Sequence, residues 1–116
     1  MKALGTKGED LAVRFLKEKG YRIIKRNYKT PVGEIDIIAK DGKTLVFIEV
    51  KTRTDVSFGY PFEAVNKRKR QKLKNLALLY LKSQGKEFSV RFDVLSIFCM
   101  DNGKKEIVHI KDAFEV

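Results

Sequence analysis

The sequence predicts an α/β sandwich, a mixed β-sheet flanked by helices on both faces, with elements in the order αβββαββ. Three observations predict it. An apolar stripe at helical spacing opens the chain, three β-type segments follow in close succession, and a long helical segment separates the third from a fourth. A helix between two strands of one sheet implies a crossover and a parallel pair, which makes the sheet mixed. The third β segment, Thr44 to Arg53, sets Leu45 and Phe47 on one side and Val46, Ile48 and Val50 on the other. That is the pattern of a strand covered on both faces. With 116 residues and no linker or repeat, the chain fits a single domain, 1–116.

Each element has a local justification. Residues 4–19 place Leu4, Gly8, Leu11, Ala12, Phe15 and Leu16 on one helical face, with Thr6 as expected N-cap, Glu9 completing a capping box and Gly20 as the stop. Tyr21 to Tyr28 is aromatic and β-branched and reads as the first strand; Gly33 to Ala39 is the second. Asp41-Gly42 is a hairpin signal before the third. Closed as a two-residue turn, it pairs Lys40 with Lys43, which sets Glu34 opposite Glu49 and Asp36 opposite Phe47. Thr54 to Tyr60 is a polar loop in which Phe58 would meet either nucleic-acid bases or the core. Pro61 suits the first turn of the second helix, whose apolar stripe is Val65, Leu73, Leu76, Ala77, Tyr80 and Leu81 and whose end falls near Gln84-Gly85. Phe88 to Met100, a turn at Asp101-Asn102-Gly103 and Glu106 to Ile110 complete the series.

Composition narrows the function. Lys and Arg number 25 against 15 Asp and Glu, a net charge of +10 that points to a polyanion. Nucleic acid is favoured over an anionic membrane, because the second helix needs its apolar stripe to cover the sheet. Cys99 is the only cysteine, so there is neither a disulfide framework nor a CxxC zinc pair. His109, the only histidine, lies in the apolar run Ile107 to Ile110, where a structural role suits it better than a Ser-His-Asp triad. No apolar run approaches the ~20 residues that span a bilayer. Gly5, Lys7, Glu9 and Asp10 break any signal-peptide core, so a reducing, cytoplasmic setting is expected.

The informative exceptions are charges inside the apolar third strand. Glu49 and Lys51 are two residues apart and share a face, where burial without partners would cost several kcal/mol each. Glu34 and Asp36 fall on the same face of the neighbouring strand. Converging carboxylates require a raised pKa or a bound cation, and a hard divalent ion such as Mg²⁺ or Mn²⁺ suits oxygen ligands. Lys51 beside them could deprotonate a water or stabilise charge on a phosphate. The same residues also permit a plain buried Glu49–Lys51 ion pair with Glu34 in solvent. A second feature is the helical run Lys67, Arg68, Lys69, Arg70, Lys72 and Lys74, which no glutamate between Lys67 and Lys86 offsets. Phosphate contacts account for it better than a merely solvated face does, and Lys17 to Lys29 adds a second basic stretch.

Gly33-Glu34-Ile35-Asp36 followed by Val46-Phe47-Ile48-Glu49-Val50-Lys51-Thr52-Arg53 resembles the PD-(D/E)XK nuclease superfamily. The match is nearest to the small YraN-like family of predicted endonucleases, itself similar to archaeal Holliday-junction resolvases. The likeness runs from Gly8-Glu9 to Ile110-Lys111-Asp112-Ala113-Phe114, although Ile35 stands where the superfamily's name has proline. The resemblance implies a restriction-endonuclease-like three-layer core. It also implies a Mg²⁺- or Mn²⁺-dependent endonuclease acting on DNA, branched or structured DNA included. By it, Asp36 and Glu49 are metal ligands with the Val50 carbonyl as a third, and Lys51 is the catalytic lysine. Glu9 approaches the same metal, a role that competes with its capping box. Arg53 joins the basic helix in holding nucleic acid, and resolvase-like relatives act as homodimers. A non-catalytic nucleic-acid-binding domain that retains the fold is the alternative.

Overall fold

The computed structural model describes residues 4–53, 67–85, 89–99 and 103–113, with side chains described except at 4–7 and 53. The elements are α1 (Leu4–Glu18), β1 (Arg22–Thr30), β2 (Gly33–Asp41), β3 (Thr44–Arg53), α2 (Lys67–Gln84), β4 (Ser89–Cys99) and β5 (Lys105–Ile110). The expected order αβββαββ is the observed one, with strand boundaries moved by one or two residues. The five strands lie in chain order across a single sheet. Only β3 and β4 run parallel, and these are the two strands that α2 separates in sequence.

The helices cover opposite faces. On one, Ala12 and Leu16 of α1 pack on Ile37, Val46, Ile48, Leu95 and Ile97. On the other, Leu73, Leu76, Ala77 and Tyr80 of α2 pack on Ile38, Leu45, Phe47, Phe92 and Val94. β3 therefore feeds alternate side chains into both cores, each fully buried one worth roughly 1.5–3 kcal/mol. Its two-faced apolar pattern in the sequence has this cause.

Helix α1 ends as expected. Gly20 takes φ +92°, Gly20 N–H donates to the Lys17 carbonyl at 3.0 Å and Tyr21 N–H to that of Leu16 at 2.9 Å, a Schellman arrangement that glycine makes at no steric cost. Its start differs: the helix is already formed at Leu4, so Thr6 lies inside the first turn and is not its N-cap. Glu9 is thereby released from the capping box.

The β2–β3 hairpin carries the main correction. Asp41 pairs with Thr44, Lys40 with Leu45 and Ile38 with Phe47, so the register is shifted by two residues from the one expected. The turn closes on Gly42-Lys43, with Gly42 at φ +61° in the first turn position, where only glycine enters without strain. A shift of two preserves every side chain's face. Extended past its last pair, Ile37 with Ile48, this register sets Asp36, in place of Glu34, toward Glu49. Pro61, Val65, the Ser57–Tyr60 loop, Phe88, Met100, Asp101 and Asn102 lie outside the described residues. Among the described residues no helix is long and apolar enough to cross a membrane.

Candidate metal and nucleic-acid site

Asp36, Glu49 and Lys51 meet on the α2 face, at the end of the sheet away from the hairpin turn. The last described β2–β3 pair is Ile37 with Ile48. Beyond it the Asp36 side chain takes over, and its Oδ2 accepts a hydrogen bond from Val50 N–H at 2.8 Å. Asp36 and Glu49 then line one cavity of about 230 Å³ under α2, together with Glu34, Lys69 and Lys72. Glu49 is 5% exposed while Glu34 is an exposed residue at the rim.

The electrostatics are strained at Asp36. Burial and the charge of Glu49 push its carboxyl up to about 7, against the pull of the Val50 N–H, with Glu9 and Glu34 adding to the rise. Glu9 of α1 thus makes itself felt at this site. Glu49 is balanced by two ammonium groups: Oε1 lies 3.3 Å from Lys51 Nζ and 2.5 Å from Lys69 Nζ. Burial and the neighbouring Lys69 lower the proton affinity of Lys51, more than Glu49 restores it. For Lys69 burial acts in the same direction, but Glu49, Lys51 and Asp36 outweigh it and hold its pKa up.

Lys69, one of the basic run that the sequence assigns to phosphate contacts, instead places its ammonium on Glu49. A signal existed. Lys69 stands four and seven residues before Leu73 and Leu76, so it continues the buried face of α2 into the cavity. The remaining cations divide. Lys67, Arg68 and Lys72 line an outer depression with Gln71, Asn75 and the exposed Val32. Arg70 and Lys74 are half-buried and line neither the cavity nor that depression. Lys72 reaches both spaces by lying across Gly33, where φ is +148° and an added Cβ would come within 2.7 Å of Lys72 Cε. Arg53 closes β3, and its side chain is outside the described residues.

His109 is structural, as its apolar surroundings suggested. Its side chain is 3% exposed, and Nε2 lies 2.7 Å from Asp93 Oδ2. Asp93 also receives Arg91 through Nε at 2.8 Å and Nη2 at 3.0 Å, and the Asp112 N–H at 3.0 Å. Arg91 extends to Asp41 at 3.0 Å and to the Tyr21 hydroxyl at 2.5 Å. Asp41, the last residue of β2 before the turn, thus also anchors this second network.

The fold and site define a class: an α/β protein with opposed carboxylates and lysines at one end of a mixed sheet, beside a cationic helix. Among the described residues no three carboxylate, histidine or cysteine side chains are grouped as a ready-made metal cage. The model of the uncharacterised protein family UPF0102 matches residues 8–97, and the chain belongs to that family. A UPF0102 protein of Thermodesulfovibrio yellowstonii is 52% identical over 111 residues, covering 96% of this chain and 95% of that protein. One from Dictyoglomus thermophilum is 46% identical, covering 89% and 88%, and one from Rhodococcus jostii is 45% identical, covering 97% and 96%.

Proposed function

We propose that this protein is a metal-dependent endonuclease that hydrolyses phosphodiester bonds in DNA, including branched or otherwise structured DNA. The observation that carries the reading is the pair Asp36 and Glu49, lining one cavity on a molecule whose surrounding face is cationic. A purely electrostatic binder of polyanions gains nothing from acids aimed at its own ligand. The donors fit a hard divalent cation: two carboxylates, with the Val50 carbonyl as an expected third, and room for water. Burial first and the charge of Glu49 second raise the pKa of Asp36, and a cation bound between the two carboxylates would lower it.

Bound there, Mg²⁺ or Mn²⁺ would polarise the scissile phosphate and make water a better nucleophile. Asp36 and Glu49 hold and orient. Lys51, whose ammonium lies beside Glu49, orients the attacking water and offsets charge on the phosphate as the water oxygen bonds to phosphorus, the bond to the leaving sugar oxygen breaks and the water's proton passes to solvent. The leaving oxygen is protonated from solvent. Lys67, Arg68 and Lys72 hold flanking phosphates without reading sequence. Cleavage of branched and linear DNA with Mg²⁺ or Mn²⁺ tests this. Wild type is expected to cut, and Asp36→Ala and Lys51→Ala to lose about 10²-fold or more. Cleavage unchanged in Asp36→Ala, or none by wild type with either metal, overturns the reading.

One observation favours a second reading, a nucleic-acid-binding domain without catalysis: Glu49 is already paired with two lysines. That domain would bind DNA in a salt-sensitive way, bind it equally after Lys51→Ala, and turn nothing over.

A further inference from the structure

Lys69 reaches the site from a cationic helix, and of the cavity's two lining lysines, Lys69 and Lys72, it is the one with an ion pair to Glu49. Its Nζ is closer to Glu49 Oε1, at 2.5 Å, than is Lys51, which shares a strand face with Glu49 and stands at 3.3 Å. Packing fixes this reach. Leu73 and Leu76 are 4% and 1% exposed in the core beneath α2, and they set the helix face that carries Lys69 over the cavity. The contact is charge-assisted and partly shielded from solvent, with 36% of the Lys69 side chain and 6% of the Glu49 side chain exposed. Lys69 lines the cavity with Asp36 and Glu49 and holds Glu49 Oε1, so a divalent cation bridging the two carboxylates there meets this ammonium group at Glu49.

We propose that Lys69 is a tethered counter-ion that competes with the metal for Glu49. Without a divalent ion it neutralises Glu49 and allows the protein to fold around two adjacent acids. For Asp36 and Glu49 to bind a divalent ion together, Lys69 must withdraw. This rests on the metal-site reading above and adds to it a regulatory consequence: the free protein binds metal more weakly than its carboxylates alone would. Lys51 does not share the part, because it is held on the strand beside Glu49 and lies further from its oxygen.

The test is Mn²⁺ binding, followed by loss of the free-ion electron paramagnetic resonance signal, in the full chain without DNA. Wild type, Lys69→Met, Lys69→Gln and Glu49→Gln are compared, with thermal unfolding recorded on the same samples. Met retains the length of the aliphatic stem, and Gln keeps a polar end should Met fold poorly. Wild type is expected to bind Mn²⁺, both Lys69 variants to bind it about tenfold tighter or more, and Glu49→Gln to lose binding. The Lys69 variants should also unfold at lower temperature without Mn²⁺ and recover with it. Equal or weaker binding by the Lys69 variants overturns the proposal and leaves the metal site standing. No binding by wild type and Lys69 variants alike removes the metal site, and the proposal with it.

Discussion

Two charged clusters interrupt the apolar strands of this sheet, one on each face, and they are built to opposite standards. On the α1 face, Asp93 has every need met: two bonds from Arg91, one with His109 and one from Asp112 N–H. Burial alone would raise its carboxyl, yet these partners outweigh burial and hold it below the usual range. The bonds to Asp93 and Asp41 in turn raise the pKa of Arg91. On the α2 face, Asp36 has one N–H and a second carboxylate for company, and its pKa climbs to about 7. A completed network stabilises a fold, whereas a strained carboxylate pair is the kind of cluster that favours a functional role.

The largest effect expected from this contrast is on stability. Asp93→Ala takes two bonds from the part-buried Arg91 guanidinium, leaving it Asp41 and the Tyr21 hydroxyl, strips His109 Nε2 of its partner, and should cost about 3 kcal/mol in denaturant unfolding. Mn²⁺ affinity should hardly change, since Asp93 is on the other face. A loss of Mn²⁺ binding at constant fold would break the division between the clusters.

Second is a pH dependence of opposite sign at the two carboxylates. Asp36 has a folded pKa raised above its unfolded value, so its contribution is fully present below about pH 4 and is lost as pH rises through about 7. Asp36→Asn should therefore stabilise the metal-free protein by about 2 kcal/mol at pH 8 and leave it unchanged at pH 4. Asp93 has a lowered folded pKa, so its stabilisation is present above the unfolded value and is lost as pH falls through the lower, folded one. Unfolding curves of the two variants across pH 3–9 should diverge in these directions. The smallest effect concerns Lys67 and Lys72. Replacing either by Ala should weaken DNA binding several-fold regardless of sequence and reduce the slope of log K on log salt by about 1.

The sequence made the layers legible because period-2 alternation in β3 and the stripes on α1 and α2 each record a packed face. It made the shared face of the candidate site legible for the same reason, since Glu34, Asp36, Glu49 and Lys51 keep their faces under any even register. It did not make Asp36 opposite Glu49 legible. An Asp-Gly pair closes a turn either on itself or with Gly42 as its first residue, and only tertiary packing decides between them. Lys69 was hidden in a run of similar cations, where charge draws attention away from helical spacing. The Asp93 network was hidden by distance, because its bonds run from Asp93 to Asp41 through Arg91 and on to His109 and Tyr21 across separate strands.

The central claim is that Asp36 and Glu49 stand together in order to share a cation. Its most direct measurement is the thermal unfolding of wild type and Asp36→Asn at pH 8, each with and without millimolar Mn²⁺. Wild type should start less stable than Asp36→Asn and rise with Mn²⁺ by the binding free energy, while Asp36→Asn should not respond. A wild type indifferent to Mn²⁺, or an Asp36→Asn variant that gains equally, would contradict it.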